Sequence, residues 1–179
     1  MNGKNLKLFL YEYLQEQDWS TEVHDALSQA PDPTKLVLDA MPGFLCSQSE
    51  FQKSLLCARV QKICILLLEQ MLTLSPHISD NVSDEALKLA EEWRLKLGQI
   101  CHSPMTAYGF LLFLAAYRMN SMYEVAELLR IFGIASEYKT SLGLCQTLGL
   151  ADKVEGLRRS YTQLPCQSAS SYIEKLKFL

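Results

Sequence analysis

The sequence predicts an all-α protein, an irregular multi-helix bundle or a solenoid-like stack of about nine to ten helices with no sheet. Three observations predict it. Apolar residues recur at three- and four-residue spacing along most of the chain, while sustained period-two alternation is absent. Helix punctuation is dense, with Ser-Pro and Asp-Pro starts and Gly or Pro stops. No Asn-Gly or Asp-Gly pair joins two strand-like runs.

The first helix is expected from about Asn5 to Gln17, with Leu6, Leu8, Phe9, Leu10, Tyr13 and Leu14 giving it a broad apolar face. Ser20 can cap a second helix carrying Val23, Ala26 and Leu27. The stretch APDPTKLVLDAMPGF (residues 30–44) specifies a short third helix at both ends. Asp32 suits the N-cap, and Pro33 suits the first helical position, where no N–H is required. Leu36, Val37, Ala40 and Met41 form its apolar side. Pro42 is expected to push Met41 out of helical geometry, and Gly43 offers a permissive exit. These features predict a mostly buried corner piece rather than a recognition element.

The longest helix should run from about Ser49 to Leu74, with Leu56, Val60, Ile63, Leu67, Met71 and Leu74 on one face. Its CILLL run (Cys64 to Leu68) is apolar all round, as befits a helix at the centre of a bundle. Ser75-Pro76 ends it. After a polar loop, Ser83 is the expected cap of a helix to about Ile100 with the stripe Ala86, Ala90, Trp93 and Leu97. Asp84 and Glu85 lie near its positive end, and Arg94 and Lys96 towards its negative end. Ser103-Pro104 starts an apolar helix to about Arg118. Ser121 and Glu124 fit a capping box for the next helix, in which Val125, Leu128 and Leu129 face inward until Gly133. Shorter helices follow: Ser141 to Leu148, stopped by Gly149; another from Ala151; and the last from Ser170 to Phe178. No repeat period with matching residues and no strict heptad emerges.

The totals exclude several classes. The chain has 179 residues, a length that suits one domain or two small ones sharing a core. With 49% hydrophobic and 21% charged residues, its composition is globular rather than disordered. The net charge of −3 and pI near 5.6 argue against direct nucleic-acid binding, as does the lack of any basic cluster longer than a pair such as Arg158-Arg159. The most apolar run, Ala107 to Tyr117, falls short of the roughly 18 residues a membrane span requires. The six cysteines, Cys46, Cys57, Cys64, Cys101, Cys145 and Cys166, follow no signal-peptide pattern, and several sit in apolar helical runs. They are expected to be reduced and intracellular.

No catalytic, cofactor-binding or metal-binding residue is assigned. GxxxxGK[ST] and GxGxxG loops are absent, as are the GxSxG elbow, CxxC and HExxH. Cys57 and Cys64 stand two turns apart, too far to share a metal within one helix. His24 and Asp25 are adjacent and so face different directions on a helix. Asn81-Val82-Ser83 matches a glycosylation pattern, which a helix cap at Ser83 explains better. Partner-binding residues are unknown. Trp19, Tyr108, Tyr123, Tyr138, Tyr161 and Tyr172 include candidate contact residues, since aromatic residues dominate interface hot spots, but the same residues serve as core.

Six stretches occur in a specific order: MNGKNLKLFL, APDPTKLVLDAMPGF, CILLLEQ, ALKLAEEW, FLLFLAAY and LGLCQTLGLADKVEGL. Each alone is ordinary helix packing. Together they resemble the central domain of the FRIGIDA and FRIGIDA-like proteins of plants, over about residues 2–157 of a single helical domain spanning 1–179. The chain departs from that pattern after Leu157, where RRSYTQLPCQSASSYIEKLKFL replaces the family's Ala- and Phe-rich segment. The resemblance implies a nuclear scaffold without catalytic activity or cofactors. Its partners would be transcription factors and chromatin-associated factors of a FRIGIDA-type complex, which promotes transcription of a floral repressor until prolonged cold. Neither nucleic acid nor membrane is an expected direct partner. The alternative reading is a helical adaptor in trafficking or protein quality control.

Overall fold

A computed structural model describes residues 2–13, 19–45, 51–100, 103–136, 138 and 142–153. Among them are eight α-helices, one 3-10 helix and no strand. The helices are α1 (Gly3–Tyr13), α2 (Ser20–Ser28), α3 (Pro33–Ala40), α4 (Phe51–Leu74), α5 (Asp80–Ile100), α6 (Pro104–Ala116), α7 (Val125–Ala135) and α8 (Leu142–Thr147), with the 3-10 helix at Asn120–Met122 between α6 and α7. The chain divides into two compact units, residues 1–99 and 100–179.

In the first unit, α1 and α3 pack on one another and both pack on α4, which also receives α2. Helix α4 supplies Ile63, Cys64, Ile65, Leu67, Leu68 and Met71 to the core, so its central turns are buried around most of their circumference. Helix α3 is short but firmly held. Asp32 caps it, its carboxylate accepting from the Lys35 amide at 2.9 Å and from the Thr34 hydroxyl at 2.7 Å. Pro33 occupies the first turn, and Thr34, Leu36, Val37, Leu38 and Ala40 are all buried. The expected corner piece is what the structure contains.

The exit of α3 is buried too. Met41 and Phe44 are fully enclosed. The Gln61 amide of α4 donates to the Phe44 carbonyl at 3.0 Å, and Lys7 Nζ of α1 donates to the Pro42 carbonyl. Phe44 stacks on Trp93 of α5 with ring centroids 4.5 Å apart, a contact worth about 0.5–1.5 kcal/mol beyond its buried area. Helix α5 turns inward the stripe Val82, Ala86, Ala90, Trp93 and Leu97, whose spacings of four, four, three and four follow the helical repeat. At its N-terminal end Glu85 meets Lys35 of α3 at 2.6 Å.

In the second unit, α7 and α8 pack on α6. Helix α6 begins at Pro104, capped by Ser103, whose hydroxyl accepts from the Thr106 amide. Every residue from Thr106 to Tyr117 is buried, as an apolar sequence without a polar face demands. It ends in a Schellman turn: Met119 N–H bonds the Leu114 carbonyl at 2.8 Å and Arg118 N–H bonds the Ala115 carbonyl at 3.1 Å. Arg118 takes the left-handed position at φ 58°. Helix α8 closes in the same way, with Leu150 N–H on the Cys145 carbonyl, Gly149 N–H on the Gln146 carbonyl, and Gly149 at φ 68°. The Asn120 amide then donates to the Leu148 carbonyl, tying the end of α8 to the turn after α6.

Several local expectations are corrected. Ser20 is the first residue of α2 rather than its cap; Trp19 holds the cap position without a side-chain hydrogen bond. Helix α5 starts at Asp80, which places Ser83 inside the helix, its amide already bonded to the Ser79 carbonyl. The capping box at Ser121 and Glu124 does not form, because Ser121 belongs to the 3-10 helix and Glu124 is itself the N-cap. Gly133 lies buried inside α7, which continues to Ala135. Met41 keeps helical dihedrals (φ −68°, ψ −28°) despite Pro42; complete burial and an amide bond to the Leu38 carbonyl outweigh the pre-proline preference. The expected helix at Ser170 to Phe178 lies outside the described residues.

Candidate functional site

Among the described residues, no group of three or more His, Cys, Asp or Glu side chains could hold a metal ion. His24 is half-buried on α2, His77 is exposed in the α4–α5 linker, and Asp25 is exposed. No helix is long and apolar enough to cross a membrane among the described residues.

The two free thiols among the described residues are buried. Cys64 is fully buried and its Sγ lies 3.7 Å from the Ala40 carbonyl, where it fixes α3 against α4. Burial pushes that thiol up to about 12, so it stays protonated and unreactive. Cys145 is also free and buried, and its thiol is raised for the same reason. Cys57 is disulfide-bonded, which corrects the expectation that all six cysteines are reduced.

The shifted charges mark the α3 corner rather than a reacting centre. The Lys35 amide and then the Thr34 hydroxyl hold the Asp32 carboxyl below its usual 3.8. Hydrogen bonds to Glu85 and then Asp39 raise Lys35. Lys35 reaches Asp39 at 2.9 Å one turn along α3 and Glu85 across to α5. All three side chains are more than a third exposed, so the triad contributes little to stability while linking α3 to α5.

The candidate contact aromatics separate clearly. Tyr108 and Tyr123 are core residues at 3% and 7% exposure; Tyr123 meets Phe110 edge to face at 5.9 Å. Trp19 is half-buried, and its indole Nε1 is enclosed without an acceptor among the described residues. Tyr138 is exposed, with its ring 5.6 Å from that of Tyr108. Tyr161 and Tyr172 lie outside the described residues.

Sequence reasoning missed the exposed apolar residues. Leu8 and Phe9, expected on the broad apolar face of α1, stand 60% and 48% exposed while Leu6 and Leu10 are buried. The signal was available: Leu8 lies two positions from both Leu6 and Leu10, about 200° round the helix. Val125, expected to face inward, is exposed, as is Met122, and Leu95 is exposed on α5 between Arg94 and Lys96. Among the described residues, the exposed large apolar side chains are Leu8, Phe9 and Leu95 in the first unit and Met122, Val125 and Tyr138 in the second.

Comparison with known proteins places this arrangement in a family context. The profile of the Frigida-like protein family matches residues 1–158. Among curated relatives from Arabidopsis thaliana, Inactive FRIGIDA-like protein 2 is 27% identical over 151 residues, covering 83% of this chain and 31% of the relative. FRIGIDA-like protein 5 is 31% identical over 137 residues, covering 76% of this chain and 14% of the relative. Protein FRIGIDA is 26% identical over 172 residues, covering 89% of this chain and 28% of its own length. The chain thus spans less than a third of these relatives. No solved structure matches it.

Proposed function

This chain belongs to the Frigida-like protein family, and from that premise we propose that it is a non-enzymatic interaction module that acts in the plant nucleus. In this reading it helps assemble transcription factors and chromatin-associated proteins into a complex of the FRIGIDA type, and so bears on flowering time or related development. The observation that carries the proposal is the family match across residues 1–158, which takes in the first compact unit and residues 100–158 of the second. The geometry is compatible with it. The charged groups whose ionisation is shifted at α3 are engaged in capping that helix and pairing it with α5, and exposed apolar side chains stand on α1, on α5 and at the start of α7.

Crosslinking mass spectrometry of the chain in plant nuclear extract tests the proposal. Crosslinks to transcription factors or chromatin proteins, mapped to lysines near these exposed faces, are the expected result. Recovery of only cytosolic coat or chaperone subunits would overturn it in favour of an adaptor role.

A further inference from the structure

The chain contains two Ser-Pro pairs near helix ends, Ser75-Pro76 and Ser103-Pro104, and the structure treats them differently. Ser103 is half-buried and caps α6; its hydroxyl accepts from the Thr106 amide, and Pro104 is already the first residue of a helix whose body is entirely buried. Ser75 is exposed. It begins a linker of five non-helical residues, 75–79, between α4 and α5. Its backbone holds the left-handed conformation at φ 46°, one of two such non-glycine residues among those described.

We propose that Ser75 is a phosphorylation site for a proline-directed serine/threonine kinase, and that Ser103 is not. Such a kinase grips the residues on both sides of its target in extended form and reads the proline that follows. At Ser75 the downstream residues are already free of helix. Upstream, Thr73 is exposed and Leu74 half-buried, so extending these two residues leaves the buried Met71 in place. Left-handed backbone at a serine is strained, and relaxation to an extended conformation relieves that strain. Ser103 is itself extended, but continuing that extension past Pro104 would unwind the first turn of α6 and expose the buried Thr106 and Ala107.

In the reaction the Ser75 Oγ bonds the γ-phosphorus of ATP, ADP leaves, and the hydroxyl proton passes to the kinase's catalytic carboxylate. The product carries about −1.5 to −2 charges at pH 7. It stands at the C-terminal, negative end of α4, where the Ser75 amide bonds the Met71 carbonyl. Like charges there loosen the last turn, so phosphorylation acts as a switch on the α4–α5 junction. This inference is independent of the proposed assembly role, because its readout is the covalent label and not partner capture.

The test incubates the full chain with ATP and a cyclin-dependent or mitogen-activated kinase, followed by phosphopeptide mapping. The label is expected on Ser75, absent from Ser103, and lost in both Ser75→Ala and Pro76→Ala. Amide exchange at Leu72 to Leu74 should accelerate after modification. A label on Ser103 equal to that on Ser75 would overturn the proposal. So would an unlabelled Ser75 in the folded chain, whether or not a free peptide of residues 70–80 is modified. Unchanged exchange at a fully labelled Ser75 would overturn the switch.

Discussion

Gly3 shows how much one missing side chain can decide. A Cβ there would overlap the Leu36 carbonyl oxygen and lie 2.7 Å from the Ala40 nitrogen, because α1 meets the α3 backbone at that point. Gly3→Ala should therefore cost at least about 1–3 kcal/mol in chemical denaturation; an unchanged midpoint would mean that α1 slides freely on α3. Asp32 makes a different prediction. Its cap should make Asp32→Ala cost about 0.5–2 kcal/mol at neutral pH. The folded-state carboxyl lies below its usual 3.8, so the contribution is fully present above 3.8 and is lost as pH falls through the folded value. The gap between wild type and variant should narrow below pH 3.8, measured by urea titration across acid pH. Asp32 was legible from sequence because Asp-Pro carries its own local signal; Gly3 was not, since close approach is a property of two helices and one sequence position cannot display it.

At the scale of the element, α3 is the clearest case of a helix held by its surroundings. Eight residues form no stable isolated helix; burial of five of them against α1 and α4 supplies what propensity does not. Leu36→Ala should cost about 2–5 kcal/mol, read as a lowered denaturation midpoint with the slope unchanged, and a loss near zero would mean that α3 is a surface element. The ends of α3 and α6 were legible because Asp32-Pro33 and Ser103-Pro104 each place a capping side chain before a residue without an N–H. The capping box at Ser121 was a false signal. Its spacing was right, but the chain had first to leave the Schellman turn at Arg118 and used Ser121 in a 3-10 turn. Cap motifs report that a helix can begin, while tertiary geometry decides where it does. The outer residues of α1 were misread for a related reason: a leucine-rich run has several candidate inner faces, and only the partners α3 and α4 select Leu6 and Leu10.

For the whole molecule, the all-helical class followed from periodicity, while the division into units at residues 99 and 100 was not read from the sequence, although the chain passes there from the charged α5 to the apolar α6. The interaction surface was illegible for a physical reason: exposed leucines and core leucines are the same letter. What totals do constrain is the field around the chain. Its formal net charge of −3 and pI near 5.6 leave no strong attraction for a polyanion. A protein that bound DNA by neutralising several phosphates would lose affinity steeply as salt rises, with a slope set by the number of counterions released. For this chain we expect no retained complex in a gel shift at physiological salt, and at low salt only weak binding without sequence preference. A specific complex with a steep salt slope would require a local basic surface able to outweigh the net charge, and would move the site of action from protein partners to the DNA itself. The described salt bridges point the other way: Lys35 is committed to Asp39 and Glu85, and Arg94 pairs with Glu91, so these cations already lie beside carboxylates that would repel a phosphate backbone.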